Sequence, residues 1–219
     1  MVDKRKTKGQ RILSIYDALL SHFGPLHWWP AKTPFEVCIG AILTQNTAWT
    51  NVEKAIANLE KANLLNPHDL ANCELETLGN LIRPSGYFNQ KARRLSLFCQ
   101  YLNKGYDGSC DKLFAQPVAT LRQELLAQNG IGPETADSML CYGGNLPVFV
   151  VDAYTKRIFS RKKLIPENAS YERVQRMFVR HLPVDVAVYN EYHGLIVRLG
   201  SLLCKKQKPQ CDLCPIKGM

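Results

Sequence analysis

Apolar residues recur at three- and four-residue spacing from one end of this chain to the other, and sustained alternation of apolar and polar residues is nearly absent. A strand face repeats every second residue and a helix face about every 3.6, so the pattern restricts the chain to helices packed on helices. The expected class is all-α. Thr33-Pro34-Phe35-Glu36 reads as a capping box with proline at the first helical position, opening a helix through Phe35, Cys38, Ile39, Ile42 and Leu43. Thr50 and Glu53 read as a second box, ahead of Val52, Ala55, Ile56 and Leu59. Ala92, Leu95, Phe98, Cys99 and Leu102 repeat the pattern. Further helices are expected over 121–128, from Pro133 through Ala136, Met139 and Leu140, from Ser170 and Glu172 through Val174, Met177 and Phe178, and over 186–203.

A chain of 219 residues, 46% hydrophobic, can bury one large core or two smaller ones. The expected division is a central helical domain over 29–146 and a second helical domain built from 1–28 and 147–219. The formal net charge of +9 favours a polyanionic partner, nucleic acid ahead of an acidic membrane surface. Lys4, Arg5, Lys6, Lys8 and Arg11 precede any apolar run, which is unlike a secretory signal, and this basic tail is the one segment expected to be disordered. No apolar stretch approaches the roughly 20 residues that span a bilayer. The chain therefore reads as an intracellular monomer, cytoplasmic or nucleoid-associated, with no membrane partner. In that compartment clustered cysteines hold metal more often than disulfides. Of the eight cysteines, Cys38, Cys73, Cys99, Cys110 and Cys141 are scattered and read as buried, inert thiols, whereas Cys204, Cys211 and Cys214 are bunched.

Gly130-Ile131-Gly132 separates two helical patterns, and Pro133 opens the second, so the segment reads as a helix-hairpin-helix. Glycine has no Cβ to block an approaching phosphate, so such a turn can offer its backbone N–H groups to DNA; a plain interhelical turn has the same sequence. Pro133-Glu134-Thr135-Ala136-Asp137 follows, and Val150-Val151-Asp152 arrives 20 residues after Gly132. With these motifs in this order, the chain resembles the helix-hairpin-helix DNA glycosylases of the endonuclease III superfamily, over about residues 34–214.

The resemblance implies damaged duplex DNA as partner, Gly130, Ile131, Gly132 and Thr135 as phosphate-binding residues, and Asp152 as the essential carboxylate. Breaking an N-glycosidic bond builds positive charge on the deoxyribose, which a fixed carboxylate can stabilise while it orients or activates water. Asp152 also reads as the N-cap of a helix starting at Ala153. Bifunctional members carry a nucleophilic lysine where this chain has Glu134, and a carboxylate cannot form an imine. The implied enzyme is a monofunctional base-excision-repair glycosylase that uses water, leaves an abasic site and lacks lyase activity. Glu134 is kept with Asp152 as a catalytic candidate, adding attraction for a cationic base.

Chemistry on a stacked base requires extrusion of its nucleotide. Leu43-Thr44-Gln45-Asn46-Thr47 resembles the family segment whose glutamine fills the vacated space, and Tyr87, just after the Pro84-Ser85-Gly86 break, matches the wedge position. The simpler readings are a helix-ending polar turn and an exposed loop aromatic. Trp28-Trp29-Pro30 and Trp49 hold all three tryptophans, and the pattern is most similar to the endonuclease III-type 3-methyladenine DNA glycosylases. There Trp29 and Trp49 match the aromatic walls of the base pocket, although large aromatics also fill cores. N-methylated purines such as 3-methyladenine and 7-methylguanine are cationic, and cation–π attraction adds about 0.5–2 kcal/mol.

Cys204-x6-Cys211-x2-Cys214 resembles the first three ligands of the family's [4Fe-4S] cluster, whose fourth cysteine would be residue 220, past the 219 given; zinc is the competing ligand reading. Lys205, Lys206 and Lys208 lie in that loop as candidate phosphate contacts. Alternatives to alkylpurine excision are a monofunctional glycosylase for uracil, hypoxanthine or mismatched bases, and a non-catalytic helix-hairpin-helix DNA-binding protein.

Overall fold

The computed structural model describes residues 7–219; Lys4, Arg5 and Lys6 of the basic tail lie outside the described residues. The described residues form α1 (Lys8–Phe23), α2 (Pro34–Leu43), α3 (Trp49–Lys61), α4 (Pro67–Asn72), α5 (Leu75–Leu81), α6 (Phe88–Tyr106), α7 (Cys110–Phe114), α8 (Val118–Ala127), α9 (Pro133–Ser138), α10 (Ala153–Arg161), α11 (Tyr171–Val179) and α12 (Val186–Leu202). No strand occurs among them.

Several helices begin where side chains can satisfy the backbone N–H groups left free at an N-terminus. Thr7 and Gln10 form a reciprocal capping box at α1, at 3.2 and 2.8 Å. With Ile12, Ile15 and Leu19 buried below it, α1 is ordered, and Lys8 and Arg11, expected in a disordered tail, are part of a helix. Arg11 donates from Nη2 to the Lys162 carbonyl at 2.8 Å.

Two expected boxes differ. Thr33 caps α2 by accepting from the Glu36 N–H at 3.1 Å, but the Glu36 carboxylate accepts from the Lys32 N–H instead of closing the box. At α3 no side chain caps the helix, and Glu53 accepts from the Trp49 indole at 2.9 Å. After the hairpin, α9 is followed by a π-helical turn over Met139–Gly143. The short helices α4, α5 and α7 have no long apolar stripe that sequence periodicity could reveal.

The chain divides into two compact units. One is Ala31–Leu146, carrying α2 to α9, and its centre is α2, buried from Phe35 to Leu43 and packed by α3, α6 and α9. The other joins the described residues up to Pro30 with Pro147–Met219, and holds α1, α10, α11 and α12. Its core is aromatic: the Phe149 and Phe178 rings stack at 4.0 Å, and Tyr189 meets Phe149 edge-on at 5.5 Å. Tyr192, fully buried in α12, donates its hydroxyl to the Ile12 carbonyl of α1 at 2.7 Å, which satisfies a polar tip inside an apolar core. Among the scattered cysteines Cys38, Cys99 and Cys141 are buried, whereas Cys73 and Cys110 are half-buried because they sit at the ends of short helices.

Candidate active site

The apolar connector Val148, Phe149, Val150 and Val151 is buried and leads directly into Asp152. α11 fixes it from the side, since Gln175 donates to the Phe149 carbonyl at 2.8 Å and the Val151 N–H donates to the Tyr171 hydroxyl at 3.3 Å. Asp152 then caps α10. Its Oδ1 accepts from both the N–H and the hydroxyl of Thr155 at 2.7 Å each. The residue is 8% exposed. Burial pushes its pKa up, but the facing His193 imidazole and the two Thr155 bonds outweigh burial and hold it below the ordinary carboxylate value. Oδ2 receives no hydrogen bond from the described residues. The result is an ionised carboxylate with one oxygen held by its helix and the other uncommitted.

His193 is the residue that sequence reasoning missed. Its Nε2 lies 3.8 Å from Asp152 Oδ1, an electrostatic neighbour beyond hydrogen-bond length. It projects from the buried face of α12 together with Tyr189, Tyr192 and Ile196, and a lone histidine on that apolar stripe was the available signal. Trp28 packs edge-on against His193, with ring centroids 6.4 Å apart, and meets Trp29 at 6.5 Å. The approach depends on Gly194, where an added Cβ would lie 2.8 Å from Trp28. Trp29 is half-buried and has φ of 74°, a left-handed conformation that non-glycine residues rarely adopt. Its neighbours through Trp28 and His193 lead to Asp152. In the other unit, Trp49 is the first residue of α3 and half-buried.

The hairpin turns at Gly130, whose φ is 79°. The N–H groups of Gly130 and Gly132 have no acceptor among the described residues. Ile131 and Thr135, grouped with them as phosphate-binding residues, are buried. The Thr135 hydroxyl accepts from Gln45 Nε2 at 2.9 Å, which leaves the turn's backbone as its exposed chemistry. Gln45 Nε2 donates also to the Gly130 carbonyl at 2.9 Å, while its Oε1 accepts from Arg94 Nη1. Arg94 lies across the hairpin so closely that any Cβ on residue 130 would overlap its side chain. Below the turn, fully buried Asp137 accepts from Arg122 at 2.6 and 3.1 Å and locks α9 to α8. Glu134 is exposed on the first turn of α9.

Tyr87 stands at the start of α6 with φ of 46° and is 67% exposed. One turn further, Lys91 is fully buried, and Nζ donates to the Leu43 and Ser85 carbonyls at 2.7 Å each. Burial, with a smaller effect from Arg94, pulls its pKa down to about 8.

In the C-terminal loop Arg161 donates to Cys204 Sγ at 3.3 Å and to the Lys205 and Lys206 carbonyls at 2.8 and 3.0 Å. Cys204, Cys211 and Cys214 all act electrostatically on Lys162. Three thiols in cationic surroundings have the donor chemistry of an anionic iron–sulfur cluster. Among the described residues, however, no group of three or more His, Cys, Asp or Glu is placed to hold a metal ion. Lys205, Lys206 and Lys208 are exposed. Lys206 joins Lys156, Arg157 and Arg161 in lining a groove of about 650 Å³ along α10. Among the described residues no helix is long and apolar enough to cross a membrane.

An all-helical fold in which a glycine turn joins two helices is the architecture of a helix-hairpin-helix protein. The chain matches the family described as HhH-GPD superfamily base excision DNA repair protein over residues 39–183, and it belongs to that superfamily as a DNA glycosylase. A Methanocaldococcus jannaschii protein named as a candidate DNA repair glycosylase is 46% identical over 215 residues, 97% of each chain. The H. pylori 3-methyladenine DNA glycosylase bound to 1,N6-ethenoadenine is 30% identical with a TM-score of 0.76, covering 89% of this chain and 97% of that one. A trapped endonuclease III–DNA covalent intermediate is 26% identical with a TM-score of 0.82, covering 97% of each chain.

Proposed function

We propose that this glycosylase hydrolyses the N-glycosidic bond of alkylated purines in duplex DNA and leaves an abasic site without cutting the strand. The observation that carries the reading is Asp152, ionised, with Oδ1 held by Thr155 and Oδ2 uncommitted. The N–H groups of Gly130 and Gly132 bind backbone phosphate in one unit, and Lys205, Lys206 and Lys208 attract phosphate in the other. The target nucleotide leaves the stack at a cost of a few kcal/mol. Tyr87 wedges into one side of the gap. Gln45 enters from the other side, exchanging its bonds to Gly130, Thr135 and Arg94 for bonds to the remaining base. Trp29, which lies in the same unit as Asp152, stacks on the extruded base, and a cationic methylpurine gains from its π face. As the glycosidic bond breaks, its electrons leave with the purine, positive charge develops on the sugar, and Asp152 stabilises it. Oδ2 then takes a proton from the water that attacks the anomeric carbon.

Glu134 stands where bifunctional members hold an amine and cannot form an imine, so strand cleavage has no nucleophile at that position. Its exposed carboxylate adds attraction for a positively charged base. Cys204, Cys211 and Cys214 are assigned as three thiolate ligands of a [4Fe-4S] cluster, which would tie the lysine-bearing loop in place; base removal takes no step through it. The alkylpurine assignment is supported by the likeness to the H. pylori enzyme, whose name states its substrate.

The test is incubation with duplexes carrying 7-methylguanine, 3-methyladenine, uracil or hypoxanthine, followed by alkali. Strand breaks are expected on the methylated duplexes and only after alkali. Cleavage of the uracil or hypoxanthine duplex alone contradicts the substrate class, and borohydride trapping of a covalent adduct contradicts the water-only mechanism. Iron analysis and visible absorption of the purified protein test the cluster.

A further inference from the structure

An ammonium group buried without a carboxylate is expensive, since removal from water costs several kcal/mol that an apolar side chain would not incur. Lys91 is 1% exposed, and no ion pair among the described residues includes it. It faces inward from the first turn of α6, on the same side as Ala92, Leu95 and Phe98, where the helix pattern calls for an apolar residue. Its two acceptors, however, belong to two different turns. Leu43 is the last residue of α2, and its carbonyl lies at the negative end of that helix, a favourable place for a cation. Ser85 closes the 3-10 turn Arg83–Ser85. Gln45 stands two residues beyond Leu43, and Tyr87 two residues beyond Ser85. A single Nζ, 2.7 Å from each carbonyl, therefore sets the separation of the backbones that present both side chains.

We infer that Lys91 is the positioning residue for base extrusion, holding the Gln45 turn and the Tyr87 turn at the spacing that lets both side chains enter the same gap. The inference rests on the proposed gap-filling roles of Gln45 and Tyr87. It assigns no contact between Lys91 and DNA. Two charge-assisted bonds from one rigidly buried centre keep the two turns in register as the duplex opens. An isosteric apolar side chain would fill the volume and release both turns.

The test follows extrusion by the fluorescence of 2-aminopurine placed opposite a tetrahydrofuran abasic analogue in a duplex. Lys91→Met is expected to reduce the amplitude or rate of the fluorescence rise at least tenfold, while affinity for undamaged duplex, carried by the hairpin, changes less than threefold. In a Gln45→Ala/Tyr87→Ala background, Lys91→Met is expected to cause no further loss, because it acts through those two residues. If Lys91→Met fails to fold, Lys91→Gln, which keeps one donor group, goes through the same assays with a smaller loss expected. A wild-type fluorescence rise in the folded variant overturns the inference, as does an equal loss in both backgrounds. A wild-type rise from Gln45→Ala/Tyr87→Ala itself overturns instead the reading of those residues as gap fillers.

Discussion

His193 Nε2 and Asp152 Oδ1 face each other across 3.8 Å inside one compact unit, with Trp28 packed against the imidazole. Burial alone would raise the pKa of so enclosed an acid, and the His193 imidazole together with the two Thr155 bonds reverses the sign.

A depressed carboxylate pKa contributes stability above its unfolded value near 3.9, and that contribution is lost as pH falls through the lower folded value. Excision by the wild-type protein should therefore keep its ionised Asp152 to a pH below the ordinary carboxylate range. Replacing His193 with glutamine removes the facing imidazole and leaves burial less opposed. The acidic limb of the single-turnover rate is expected to move to higher pH, with the rate at pH 8 falling less than about tenfold. An unmoved limb would show that His193 does not set the charge of Asp152.

Gly130 combines a φ of 79° with an Arg94 side chain lying against its α-carbon. Alanine there adds about 1–2 kcal/mol of backbone strain and displaces Arg94 from Gln45. Gly130→Ala is expected to weaken binding of undamaged duplex about tenfold or more and to lower Tm by several degrees. Gly132→Ala, at ordinary φ with open space around it, should lower Tm less. Equal effects of the two substitutions on Tm would contradict the strain argument.

Lys91 gives a stability signature of opposite form. Its folded pKa of about 8 lies below the unfolded value near 10.4, so the burial penalty is complete below pH 8. Between pH 8 and about 10.4 the folded protein releases a proton that the unfolded chain retains, and stability rises with pH. Relative to Lys91→Met, the wild type is expected to gain up to about 3 kcal/mol across this interval, measured by urea unfolding at each pH. A constant difference between the two would contradict the buried charged state.

Much of this was legible in the sequence, because its signals are local. Ser170 before α11, Pro133 at the start of α9 and Asp152 before α10 announce helix starts. What escaped depends on residues distant in sequence. Nothing near Gly130 points to Arg94, and nothing near Asp152 points to His193, 41 residues on. The Thr50-Glu53 box failed because Glu53 had a competing donor in the Trp49 indole. Thr7 and Gln10 were readable as a box, but the surrounding lysines and arginines drew the segment toward a disordered tail. Lys91 lies within a recognised apolar pattern, and only the fold reveals that its ammonium spans two turns.

The central claim, that Asp152 performs hydrolytic base removal, is tested most directly by single-turnover excision from a 7-methylguanine duplex with Asp152→Asn. Asparagine keeps the side-chain oxygen that can cap α10 but carries no charge. Excision is expected to fall by about 10³-fold or more while duplex affinity stays within about threefold of wild type. Excision within tenfold of wild type by a folded, DNA-binding Asp152→Asn protein would contradict it.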